Sequence, residues 1–187
     1  MNDTGKLIRQ LLRNPLSLSG IILIVFFIVV ALAAPLIAPP SPRARDPYDM
    51  PRLGYFAEPQ LPNSEALFGT TEGQYDIFYG VVWGTRTAFK AGLIVTFSTL
   101  VIGLSLGTVA AYYGGRLDEF LMRIVEIFQA FPYLLAAITM AAVLQPKLGR
   151  GIWAPMVALI AFGWTTYARL IRGDILSVKE REYVLAA

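Results

Sequence analysis

Leu16-Ser-Leu-Ser-Gly-Ile-Ile-Leu-Ile-Val-Phe-Phe-Ile-Val-Val-Ala-Leu-Ala-Ala-Pro-Leu-Ile-Ala38 contains no charged residue. At 1.5 Å per residue such a run is long enough to cross a hydrocarbon core of roughly 30 Å. The competing reading is a secretory signal peptide, because Ala31-Leu32-Ala33 has the small-x-small form of a cleavage site. Signal-peptide apolar regions run about 7–15 residues, and this stretch is longer, so it reads as an uncleaved membrane span. The polar residues before it carry Lys6, Arg9 and Arg13.

The rest of the chain has the same character. Of 187 residues, 56% are hydrophobic and only 16% charged, against about 45–50% apolar in soluble domains. A second uncharged run extends from Ala91 to Ala111. A third apolar run, from about Phe120 to Leu144, is charged only at Arg123 and Glu126, near its start, and a fourth, shorter and uncharged, extends from Ile152 to Ala168. The expected fold is therefore an all-α integral membrane protein with four transmembrane helices. The second run contains Gly103-x-x-x-Gly107, a spacing that lets helix backbones approach closely. Pro132, inside the third, predicts a kink. Arg123 stands four residues after Glu119 and three before Glu126, a spacing for ion pairs along one helix face.

Between the first two spans the composition changes. Seven of the twelve prolines (39, 40, 42, 47, 51, 59 and 62) fall in residues 39–62, which predicts an extended polar connection. Tyr75, Phe78, Tyr79, Val82 and Trp83 then recur at the spacing of one helix face. They form either an aromatic helix at the membrane–water boundary or the first turns of the next span. The expected organisation is residues 1–38 as N-terminus and first span, 39–84 as an extracytoplasmic proline-rich segment with an interfacial helix, and 85–187 as a membrane core.

Charge sets the orientation. Asp46, Asp49, Glu58, Glu65, Glu72 and Asp76 outnumber Arg43, Arg45 and Arg52 between residues 39 and 80, while Arg116, Arg123, Arg169, Arg172, Lys179 and Arg181 join the basic N-terminus on the other side. The positive-inside rule then places both ends in the cytoplasm of a cell whose plasma or inner membrane holds the protein. The net charge of +3 is small, and the basic residues lie at the ends of apolar runs, which excludes a nucleic-acid patch.

Much chemistry is excluded. Cys and His are absent, which removes disulfides, thiol catalysis, His-based metal sites and His-containing triads. No P-loop pattern is present, since the only Gly-Lys pair, Gly5-Lys6, is followed by Leu7. No carboxylate lies deep in a span, where proton-coupled transport or an intramembrane aspartyl protease would need one. The chain is expected to be no enzyme and to bind no metal or cofactor itself.

The final residues, Ser177-Val-Lys-Glu-Arg-Glu-Tyr-Val-Leu-Ala-Ala187, break from the apolar run before them. Ser177 and Glu180 have the spacing of a capping box, and Leu185, Ala186 and Ala187 favour a helix. No Gly, Asn or Pro follows to close it, so the sequence reads as the front part of a longer protein.

These residues also carry a family resemblance. Arg181-Glu182-Tyr183-Val184-Leu185-Ala186-Ala187 resembles the start of the cytoplasmic loop of ABC importer permeases, with Leu185 where the family has Glu. Tyr112 through Arg123, then Ala130-Phe131-Pro132, and Tyr167 through Gly173, are similar to the dipeptide, oligopeptide and nickel branch of that family. The likeness runs from Gly69 to Ala187, with two departures. Ala66-Leu67-Phe68 stand where the family usually has His-Pro before Leu-Gly-Thr, and Gln74-Tyr75-Asp76 stand where it has Gly-Arg-Asp.

The resemblance implies an incomplete type I ABC importer permease. It implies import of peptides, or of nickel or other small solutes, by alternating access. The implied partners are a second permease subunit, two ATPase subunits that hold the ATP, and an extracytoplasmic substrate-binding protein. It makes Arg181, Glu182, Tyr183, Leu185, Ala186 and Ala187 an ATPase-docking coupling helix. Ser177 and Glu180 are expected to cap that helix, and Phe131, Pro132 and Tyr133 to shape the pathway. A membrane scaffold or assembly subunit without transport activity is the alternative, and a secondary transporter a third reading.

Overall fold

Asn14 starts the first helix. Its side-chain carbonyl accepts the Leu16 N–H at 3.0 Å, and Pro15 occupies the first helical position, where a missing N–H costs nothing. The resulting helix α1, Pro15–Ile37, closes where Ala38 donates to Ala34 O just before Pro39-Pro40. The computed structural model describes residues 12–41, 46–55, 58–149, 151–179 and 181. Among them the other helices are α2 (Ile77–Tyr113), α3 (Gly115–Gln129), α4 (Tyr133–Leu148) and α5 (Trp153–Lys179). The described residues contain no strand, only isolated bridges joining Arg52 to Tyr75 and Thr70 to Asp76. The chain forms two compact units, Met1–Lys90 and Ala91–Ala187.

In the first unit the proline-rich segment is folded. Asp76 caps α2 by accepting the Tyr79 N–H at 3.3 Å. The Trp83 indole donates to Ala38 O at 2.9 Å, the Tyr79 hydroxyl donates to Pro47 O at 2.6 Å, and the two rings stack on each other. Tyr79, Val82 and Trp83 are buried with Ala34 and Ala38. The aromatic face expected at a membrane–water boundary is therefore a protein core. Phe78 to Trp83 are first turns of α2, and among the described residues no separate interfacial helix precedes it.

Gln74 anchors this segment. It is fully buried and is the one described non-glycine residue at positive φ, +61°. Its side-chain amide donates to Glu58 O at 2.5 Å and accepts from the Thr70 hydroxyl at 3.3 Å, while its backbone carbonyl accepts the Leu53 N–H at 2.9 Å. This is the position where the resembling family has Gly, the residue at home in a left-handed conformation. Here the buried amide bonds offset the strain of about 1 kcal/mol.

The second unit rests on small residues. Thr99, Gly103, Gly107, Ala110 and Ala111 are the buried stripe of α2. A Cβ on Gly103 would come within 2.5 Å of Tyr167 Cβ and 2.7 Å of Trp164 O, and one on Gly107 within 2.5 Å of Ala168 O. The glycine pair thus packs α2 directly against the α5 backbone. Trp164 and Ala168 share a core with Val125 of α3, and Phe128 packs its ring on Phe162 and Trp164.

Two expected spans differ. The kink at Pro132 is a full break, with α3 and α4 bent by 80°. Proline lacks the N–H to continue a helix and turns the preceding residue away from helical geometry. The fourth span does not end at Ala168 but continues as α5 to Lys179, so Arg169 and Arg172 lie inside the helix. Three helices, α1, α2 and α5, are each long and apolar enough to cross a membrane, and a fourth crossing requires α3 and α4 together. Many apolar side chains of α1 are open, Leu36 at 87% exposure, as suits a helix solvated by lipid.

Two measurements test these packings. Gln74→Ala loses the amide bonds yet keeps a Cβ at positive φ, and should destabilise the segment by about 2 kcal/mol. Gln74→Gly loses the same bonds but relaxes the backbone, and should cost about 1 kcal/mol less. Protease susceptibility in detergent reads the difference, and equal losses would remove the backbone argument. Gly103→Val should cost about 1–3 kcal/mol through overpacking, whereas Gly92→Ala, with nothing within 4 Å, should leave the thermal midpoint unchanged or raised.

Candidate functional site

Residues Trp164, Ala168, Arg172 and Lys179 recur on one face of α5 by helical periodicity. The first two pack on α2 and α3, and the last two reach the corner where those helices join. That corner is Gly114-Gly115, with φ of +65° and +55°, a left-handed pair that side chains would strain.

Lys179 grips one side of the corner. Its ammonium donates to Ala111 O at 2.6 Å and Tyr112 O at 2.9 Å, and lies 5.6 Å from the centre of the Tyr112 ring. These carbonyls belong to the last turn of α2, where backbone acceptors lack helical partners and the helix dipole is negative.

Arg172 grips the other side. Its guanidinium donates two bonds to Asp118, at 2.5 and 2.6 Å. Asp118 sits in the first turn of α3, where a carboxylate also complements the helix dipole. The side chains are 31% and 15% exposed, so this forked pair is screened less than a surface one. A single helix end is thus tied to two others on either side of one turn. The charged groups of this arrangement are engaged in these contacts, which tie the end of α5 to the α2–α3 corner.

The sequence-predicted docking residues begin there. Arg181 is exposed, and its N–H donates to Val178 O at 3.2 Å. Glu182, Tyr183, Leu185, Ala186 and Ala187, and the capping partner Glu180, lie outside the described residues. Ser177 does not begin a helix. It lies within α5 and its hydroxyl donates back to Asp174 O at 2.8 Å. The reason is that α5 passes through Gly173 without stopping, so Ser177 bonds within its own helix instead of capping a new one.

Of the pathway candidates, Phe131 lies in the break between α3 and α4 and is 60% exposed. Pro132 is the N-cap of α4 with φ −56°, and its carbonyl accepts the Ala136 N–H at 3.0 Å. Tyr133, the first residue of α4, brings its hydroxyl to 3.6 Å from where a Cβ on Gly163 would stand, with Thr99 of α2 nearer still at 2.9 Å. These three residues mark where α2, α4 and α5 meet.

Sequence reading counted Arg172 and Lys179 only as boundary charges and did not pair Asp118 with either. The available signal was the seven-residue spacing of two cations on one helix face. Arg123 does bond Glu126, at 3.2 Å, on the exposed surface.

Comparison with known proteins gives two adjacent family matches. Residues 77–187 match the family described as binding-protein-dependent transport system inner membrane component. Residues 5–59 match the N-terminal TM domain of oligopeptide transport permease C. The dipeptide transport system permease protein DppC of Bacillus subtilis (strain 168) is 34% identical over 96% of this chain and 52% of its own length. The oligopeptide transport system permease protein OppC of the same organism is 34% identical over 93% of this chain and 53% of its own. The probable D,D-dipeptide transport system permease protein DdpC of Escherichia coli (strain K12) is 32% identical over 98% and 57%. The chain spans about half the length of the curated relatives it matches. With more than half of its residues matched by one such family, the chain belongs to the binding-protein-dependent transport system inner membrane components.

Proposed function

We propose that this chain is part of a permease subunit that imports peptides, driven by ATP hydrolysis on separate subunits. The observation that carries the reading is the pair of adjacent family matches, an oligopeptide permease N-terminal segment followed by a binding-protein-dependent permease core. The substrate class follows the relatives, which are dipeptide and oligopeptide transport system permease proteins. The distribution of basic residues supports four crossings with the N-terminus and the end of α5 in the cytoplasm.

In this reading the partners are a second permease subunit, two ATPase subunits and an extracytoplasmic binding protein. ATP and its hydrolysis belong to the ATPases. Residues 181–187 form the surface that an ATPase engages, and closure of the ATPases rocks the helices between outward- and inward-open states. Phe131, Pro132 and Tyr133, at the junction of α2, α4 and α5, border the route.

A pull-down of the full-length protein from detergent tests this. An ATPase should accompany the wild type. It should be lost from the Ala186→Asp, Ala187→Asp double variant, because charges buried without partners in a docking surface cost several kcal/mol, of order 3–5. Absence of an ATPase from both would favour the scaffold reading. Equal recovery from both would keep the partner and discard this docking site.

A further inference from the structure

We propose that Asp118, Arg172 and Lys179 form a latch that holds the end of α5 at the angle required for ATPase docking, each acting as a positioning residue. The inference rests on the permease reading and adds to it residues that lie outside the docking surface itself.

Three observations converge on it. The Arg172–Asp118 fork and the Lys179 bonds to Ala111 O and Tyr112 O leave α5 from positions seven residues apart, on one face. They seize opposite sides of the Gly114-Gly115 turn, one on the first turn of α3 and the other on the last turn of α2. Just beyond Lys179 stands the exposed Arg181, the first of the residues proposed above for docking. Two attachments on different helices fix both tilt and rotation of a helix end, whereas one would leave it free to pivot. Both attachments also require charge. The Arg172 fork matches a carboxylate in a planar, two-bond geometry, and Lys179 places a cation where α2 has unsatisfied carbonyls. When either bond set is removed, a single charged attachment remains and the last two turns of α5 can pivot about it.

These 187 residues contain no cysteine, so the full-length permease, with any cysteine elsewhere replaced by serine, allows a direct test. Spin labels on Tyr113→Cys and Val178→Cys, 70% and 43% exposed in the native chain, report the distance between the ends of α2 and α5. The ATPase affinity of the same protein is measured in detergent. The wild-type background should give one narrow distance distribution. Asp118→Asn or Arg172→Gln should broaden it and weaken ATPase affinity about tenfold. The charge swap Asp118→Arg with Arg172→Asp should recover part of both, the remainder being lost to a cation at the start of α3. Lys179→Met should reproduce the single-variant effect.

Unchanged distance and affinity in the single variants would overturn the latch. So would a broadened distribution with full affinity, because the pair would then be structural only. Failure of the wild type itself to bind an ATPase would overturn the permease reading, and the latch with it, and is recognisable because the distance change would still be seen.

Discussion

The second unit depends on how closely α2 and α5 approach at Gly103 and Gly107. In lipid the apolar face of one helix gains little by meeting another, since the hydrocarbon is equally apolar. Association then relies on dense contact, and glycine allows it by letting backbone meet backbone. A Cβ at either position would need space held by the α5 main chain. With the helices this near, Trp164 and Ala168 reach the core they share with Val125 of α3, and further along the same face Arg172 and Lys179 reach the Gly114-Gly115 corner. The charged contacts are thus geometric consequences of the glycine contacts: side chains with this reach would not bridge a wider gap with the same bonds.

How legible these features were depended on whether they were local. The bounds of α1 followed from composition, because a long uncharged run ended by Pro39-Pro40 admits few alternatives. The C-terminal end of α5 did not, because the arginines that marked a membrane boundary are good helix formers and do not stop a helix. Pro132 signalled an interruption, but the 80° bend reflects how α3 and α4 each pack on α5, which no local pattern encodes. Likewise the exchange of Gly for Gln74 was visible as a departure. That its side chain would replace glycine's freedom with buried hydrogen bonds depended on Glu58, sixteen residues away. The Asp118–Arg172 pair spans fifty-four residues and joins charges that each had a bland local explanation.

The aromatic residues at the start of α2 show how one periodicity supports two physical readings. Tyr, Phe and Trp at helical spacing suit a membrane boundary because their rings are amphipathic. The same property suits a protein core that contains free carbonyls. Ala38 O at the end of α1 and Pro47 O in a proline-rich turn lack helical donors, and the Trp83 indole and Tyr79 hydroxyl supply them. A segment with seven prolines has few N–H groups to pair with its own carbonyls, so donors must come from side chains. Those aromatics are the supply, which explains why they are buried here and not left at an interface.

The order of contacts also sets the direction in which the helices of the second unit run. Along α2, Gly103 meets Trp164 to Ala168, Gly107 meets Ala168, and Ala111 and Tyr112 meet Lys179. Residue numbers rise together, so α2 and α5 run parallel. Along α3 and α4 they run oppositely: Asp118 meets Arg172, Phe128 meets Trp164, and Tyr133 approaches Gly163. Two parallel helices that each cross a membrane need the chain between them to return to its starting side. Among the described residues α3 and α4 are the helices between α2 and α5, and the contacts from Asp118 to Tyr133 pass back along α5. That return is met if the broken pair crosses as one unit, the case in which the chain has four candidate spans and not three. Backbone groups freed from a helix at such a break must be satisfied by protein or line a wet cavity. Ala130, Phe131 and Pro132 are exposed at the break, and the flanking turns meet part of the requirement: Ala130 donates to Glu126 O and Pro132 O accepts from Ala136.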